Sequence, residues 1–169
     1  MSVHVVLAVG MQGCFLSEGG ATFLGQPLKD SLLSYLSGAL VERNTVVYSS
    51  RMIRHADDPL FSNDLSSCLP GSVDSESVCP EDSRVIKVVH SRPDVTSQQQ
   101  FKSDLLRRDV DYVTIVGAES HGAVLHTAMS LSYLGYRVEV PVSMTESRDM
   151  YLKDSALSLL SLSCGVTLL

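Results

Sequence analysis

The sequence predicts an α/β domain organised on a parallel sheet, and three observations carry that reading. Short apolar runs alternate with segments whose apolar residues recur every three or four positions, the pattern of strands with helices on both faces of the sheet. Residues 3–9 (VHVVLAV) are almost continuously apolar, as in a strand buried on both faces. Residues 112–137 then give an apolar run ending at Gly117, five residues of turn, and Ala123, Val124, Thr127, Ala128, Leu131 and Leu134 at helical spacing. A strand, a glycine turn and a helix N-terminus make a site at the carboxyl edge of such a sheet. Any functional site is therefore expected at residues 117–123.

Composition bounds the rest. At 169 residues the chain fits one domain, 1–169, and 44% hydrophobic with 19% charged residues is globular. A net charge of −6 argues against nucleic acid as a partner. The basic cluster Lys102, Arg107 and Arg108 reads as the solvated side of a helix. No apolar segment reaches spanning length and no signal core opens the chain, so no membrane role and a cytoplasmic location are expected. Cys14, Cys68, Cys79 and Cys164 lack metal spacing and are read as free thiols.

The remaining elements follow in order. Pro27 to Val41 carries Leu28, Leu32, Leu36 and Leu40 at helical spacing, with Pro27 at a first-turn position. Thr45 to Ser49 is a β-branched strand, and 57–83 is a long Ser-, Asp- and Pro-rich insertion. It is either a lid over the sheet edge or a connection without a role. Arg84 to His90 is a strand, and Thr96 is expected to cap a helix running to about Arg108. Gly135 stops the helix that follows Gly117. Arg137 to Val142 is a strand, a helix runs to about Ser163, and a short strand closes the chain.

The run G-A-E-S-H-G-A-V-L-H-T-A, 117–128, resembles the nucleophile turn of the isochorismatase-like cysteine hydrolases, which in many members reads G-x-E-x-H-x-C-V-x-x-T-A. Met11, Gln12, Phe15 and Leu16 fit the family's D-M-Q-x-D-F. Residues 67–72 resemble its H-C-V-x-G-T, and 145–148 its S-S-R. The resemblance spans the chain and implies a Rossmann-like three-layer α/β/α domain with a central parallel sheet of five or six strands. It also implies a catalytic aspartate, lysine and cysteine. Those positions hold Gly10, Val89 and Ala123 here, so no catalytic residue is expected among them. Gly10 also suits a strand end that needs φ > 0. The family's D-x-H-x-x-x-H metal pattern falls on Arg51, Ile53 and Asp57, with His55 out of register. An arginine repels a cation, so no metal is expected, and no cofactor.

Backbone features would survive such losses. The resemblance implies a cis peptide between Ala118 and Glu119 and a ligand site at Gly117, Ala118, Glu119, His121 and Ala123 for a small carbonyl-bearing or anionic molecule. It further implies a homo-oligomer or a subunit of a larger assembly. Three readings follow. The first is a catalytically inactive protein kept for structure, assembly or protein interaction. The second is a binding module whose cavity is open between Gly10, Val89, Glu119 and Ala123, and not filled by Met11 or Phe15. The third is an amidase with relocated chemistry. It needs Lys87, two residues before Val89 on the same strand face, or Cys14 coupled to His121.

Overall fold

The computed structural model describes residues 3–55, 57 and 68–169. Its strands are β1 (Val3–Val9), β2 (Thr45–Met52), β3 (Val85–His90), β4 (Val110–Ala118), β5 (Arg137–Val140), β6 (Thr145–Glu146) and β7 (Thr167–Leu168). They form one sheet of order β3-β2-β1-β4-β5-β7, every pairing parallel. That path has the expected six strands. The two-residue β6 adds to it by pairing with the end of β4, Gly117 opposite Thr145 and Ala118 opposite Glu146.

The period of two along β1 builds both cores. Val5, Leu7 and Val9 face a cluster with Phe101, Leu105, Leu131, Leu157 and Leu160. Val6 and Ala8 face the opposite cluster, with Leu28, Leu32 and Leu36. The first face is therefore covered by α3 (Gln99–Arg107), α4 (Leu125–Tyr133) and α5 (Met150–Cys164), and the second by α2 (Gln26–Ala39). Because β1 lies between two neighbours and two helix layers, every side chain from Val5 to Val9 is fully buried, and no amphipathic alternation shows in its sequence.

Two helix starts differ from the reading of the sequence. The α1 turn (Gly13–Leu16) is too short for a periodic signal. Thr96 does not cap α3. Asp94 accepts from Thr96 N and Thr96 Oγ1 at 2.8 Å each, capping a 3-10 turn at Val95–Ser97, and α3 begins after it. The threonine hydroxyl is turned back to donate to Asp94, so it is not aimed at the first amides of α3. Of the 57–83 insertion, residues 58–67 lie outside the described residues, as does Ser67 of the 67–72 motif. The described part is seated, with a 3-10 turn at Val73–Ser75 and Ser77 bridging to Gln12.

The chain leaves β1 outward through β2 and β3, then returns across β1 to β4. The strand order therefore reverses between β1 and β4, and the crevice beyond their carboxyl ends is where such sheets bind ligands.

Candidate functional site

At that reversal two glycines bring the strand ends unusually close. Gly10 (φ +64°) follows β1, and a Cβ on it would stand 2.0 Å from the Ala118 carbonyl oxygen. Gly117 (φ +117°) closes β4, and a Cβ there would stand 2.0 Å from the Val9 oxygen. Only glycine fits either place. The Ala118–Glu119 peptide that follows is cis. Ser120–Val124 then make one wide helical turn, kinked at Gly122 (φ −101°, ψ −110°), before α4 begins.

These turns enclose a cavity of about 260 Å³. Gly10 lines it together with Ala118, Glu119, His121 and Ala123 of the expected ligand site, whereas Gly117, within β4, is not part of the lining. The cavity is open: Phe15 is one wall of it and Met11 is buried elsewhere. Of the rest of the lining, Gln12, His126 and Arg148 fall within the resembling runs at 11–16, 117–128 and 145–148, whereas Met52, Arg54 and His90 had no motif in the sequence. Gln12, Met52, Arg54, His90, His126 and Arg148 converge from β1, β2, β3, α4 and the segment before α5.

Val89 is not in this wall. Along β3 the pleat turns Lys87 and Val89 outward together, Val89 being 47% exposed, and turns His90 inward at 2%. Lys87 pairs with Glu81 at 2.6 Å and lines a separate groove of about 330 Å³ between β3 and α3. The expectation that Lys87 could reach the site is therefore corrected by strand alternation. The Cys14–His121 couple is corrected too. Cys14 is buried with its sulfur 2.7 Å from that of Cys68, whereas His121 Nδ1 hydrogen-bonds Ser147 Oγ and its Nε2 lies 3.9 Å from Glu119 Oε2. Arg107 and Arg108 of the basic cluster both pair with Asp104, and Arg51 donates to the Ser75 carbonyl. Among the described residues, no group of three or more His, Cys, Asp or Glu side chains could hold a metal ion.

Among the described residues, the lining carries two arginines, Arg54 and Arg148, and one carboxylate, Glu119. Glu119 is 13% exposed at its side chain, and its Oε1 is buried without a hydrogen-bond partner among the described residues. A buried carboxylate oxygen left so is a place for a ligand's N–H or O–H. His90 Nδ1 donates to the Arg92 carbonyl at 2.5 Å, and its Nε2 lies 3.2 Å from Ser50 Oγ, which can donate to it when the ring is neutral. Burial holds His90 below the ordinary histidine range, outweighing the Arg92 carbonyl and Asp94. As pH falls the unfolded chain takes up this proton first. The contribution of His90 to stability is therefore full above about pH 6.5 and is lost below it. In an NMR titration the His90 ring is expected to protonate later on acidification than a free histidine. The melting temperature should fall as that window is crossed, and His90→Asn should flatten the fall.

A sequence profile for the isochorismatase domain matches residues 5–169. The chain belongs to the isochorismatase family. No curated protein matches the sequence significantly. Among solved structures, nicotinamidase PncA from Bacillus subtilis superposes with a TM-score of 0.84 at 20% identity, covering 98% of each chain. The pyrazinamidase of Pyrococcus horikoshii, solved with zinc, gives 0.87 at 16% identity, again over 98% of both chains. An isochorismatase-like hydrolase from Alkaliphilus metalliredigens gives 0.87 at 16%, covering 99% of this chain and 94% of the other. At such identities the likeness is one of fold. The isochorismatase fold therefore positions this cavity, and its chemistry rests on the residues present here. No helix among the described residues is long and apolar enough to cross a membrane.

Proposed function

We propose that this isochorismatase-family protein lacks cysteine-hydrolase catalysis and binds a small carboxylate- or carbonyl-bearing molecule in the cavity between β1 and β4. One observation carries the reading. The cavity stays open, its largely apolar lining carrying Arg54, Arg148 and Glu119, although Gly10 and Ala123 stand where the family motif has its aspartate and cysteine. A methyl group cannot attack a carbon, and a glycine cannot take a proton from a nucleophile. Such residues act as a unit, so losing them removes on the order of 10⁴- to 10⁶-fold in rate. Binding requires none of them. Arg54 and Arg148 supply positive charge for an anionic end, and Glu119 Oε1 accepts from a donor on the same molecule.

The test is a thermal-shift series with nicotinamide, nicotinate, isochorismate-like acids, simple anions and zinc, paired with an amidase assay. A carboxylate or amide at about 100 times its dissociation constant is expected to add roughly 2.7 kcal/mol, without turnover. Nicotinamide hydrolysis above background would overturn the reading.

Assembly is the second reading, favoured by the outer face of α5. Tyr151 is 79% and Leu162 85% exposed there, with the half-exposed Leu159 between them and no charge along the stripe 151, 155, 158, 159 and 162. Light scattering after gel filtration is expected to give a homo-oligomer in this reading, and Leu162→Asp a monomer.

A further inference from the structure

Two cysteines that play no part in the proposed binding site lie against each other in the core. Cys14 sits in α1, directly after the β1 turn, and Cys68 lies on the insertion 54 residues later. Their sulfurs are 2.7 Å apart, and both residues are buried, at 1% and 0% exposure. Gln12 Nε2 donates to Cys68 Sγ at 2.9 Å and to the Met52 carbonyl at 3.0 Å, while Gln12 Oε1 accepts from Met52 N at 2.7 Å. This clamp sets the Cys68 sulfur against Cys14 and beside a donor that would stabilise a negative charge. The Cys68 carbonyl in turn accepts from Arg54 N at 2.9 Å, so the sulfur pair is one bond removed from a cavity residue.

We propose that Cys14 and Cys68 form a redox-active dithiol, closed to a disulfide by hydrogen peroxide and reopened by a thiol reductant. The Cys68 thiolate attacks one peroxide oxygen, breaking the O–O bond, expelling hydroxide and leaving a sulfenic acid. The Cys14 sulfur then attacks the Cys68 sulfur, the S–OH bond breaks, and the departing hydroxide leaves as water with the Cys14 proton. The first hydroxide takes the proton that Cys68 gave up. Two thiols are thereby oxidised by two electrons in all, and one peroxide is reduced to two waters. Closure shortens the sulfur separation to about 2.05 Å, a movement of less than the width of an atom. The order of roles follows from the surroundings. The shared hydrogen bond with Cys68, then burial, push the Cys14 thiol up, so Cys14 keeps its proton and resolves. The Gln12 amide, donating to Cys68 Sγ, favours Cys68 as the attacking sulfur.

Burial decides which oxidant can act. Reagents much larger than water, glutathione disulfide and dithiothreitol alike, reach sulfurs with so little exposure only through local opening of the fold, whereas peroxide is close to water in size. Cys79 and Cys164 are equally buried, at 6% each, but neither is paired with a second cysteine among the described residues, and they serve as internal controls. The proposal stands apart from the ligand reading, because the disulfide forms whether or not the cavity binds anything.

The experiment treats the reduced full-length protein with hydrogen peroxide, quenches with acid, alkylates in denaturant and maps the peptides by mass spectrometry. The expected result is one linkage, Cys14 to Cys68, with Cys79 and Cys164 alkylated as before. The oxidised form should melt at higher temperature, and dithiothreitol should reverse both changes. Cys14→Ser and Cys68→Ser should each abolish the linkage and the shift, while Cys79→Ser changes neither. Should both serine variants fail to fold, the wild-type map decides. No Cys14–Cys68 peptide after peroxide, or a linkage through Cys79 or Cys164, overturns the proposal.

Discussion

A Gly10→Asp substitution is expected to destabilise the protein by roughly 4 kcal/mol, without restoring a catalytic carboxylate. Two effects add. Residue 10 sits at φ +64°, where an L side chain is strained by on the order of 1–2 kcal/mol. The new Cβ would also meet the Ala118 oxygen at 2.0 Å and its carbonyl carbon at 2.9 Å, with the Phe15 ring 3.3 Å away. Backbone on the central strand pair cannot yield as a flexible side chain would, since Val9 and Gly117 are ladder partners one residue away. For a domain of this size each kcal/mol lowers the melting temperature by about 2–4 °C, so a fall of ~10 °C is expected. Gly10→Ala should lose nearly as much, because the clash is with Cβ and not with charge. A Gly10→Asp/Ala123→Cys double variant should remain at background in an amidase assay. Native-like melting of Gly10→Asp, or nicotinamide turnover by the double variant, would falsify the account of a strand end closed around glycine.

That closure shows how far the sequence could be read. The apolar run of β1 and the strand–glycine–helix passage around Gly117 signal an α/β sheet with a site at its carboxyl edge, because burial on both faces and a helix start leave local patterns. The inner wall, from Ala118 to Ala123, was legible for the same reason. Of its opposite wall, only His126 and Arg148 fell within resembling runs, and nothing in those runs placed them at the cavity. Arg54, His90, His126 and Arg148 come from four separate segments, and only the sheet order brings them together. For His90 a signal existed. The pleat of an edge strand sets odd and even residues on opposite faces, so an outward Lys87 implies an outward Val89 and an inward His90. The family pattern placed its lysine position on Val89, which the pleat turns away from the cavity. The Cys14–Cys68 contact spans 54 residues and has no sequence signal at all.

Replacing Glu119 is expected to separate ligands by whether they carry a hydrogen-bond donor. Glu119 Oε1 is buried and without a hydrogen-bond partner among the described residues, while Oε2 stands 3.9 Å from His121 Nε2, beyond hydrogen-bond reach. In the empty protein the side chain therefore makes few contacts that Leu cannot replace, and Glu119→Leu should melt within a few degrees of the wild type. In the liganded protein the outcome differs. A hydrogen bond to a charged group contributes about 1.5–3 kcal/mol, equivalent to roughly 10- to 100-fold in affinity. An amide such as nicotinamide, whose N–H can reach Oε1, should therefore bind Glu119→Leu 10- to 100-fold more weakly by calorimetry. Glu119→Gln, which keeps an acceptor but not its charge, should fall between the two. Benzoate, an anion of similar size with no donor, should bind both variants as well as the wild type or better, because the repulsion between two carboxylates is gone. Equal losses for nicotinamide and benzoate would mean that Glu119 shapes the cavity and does not read the ligand. Arg54 and Arg148 would then carry recognition alone.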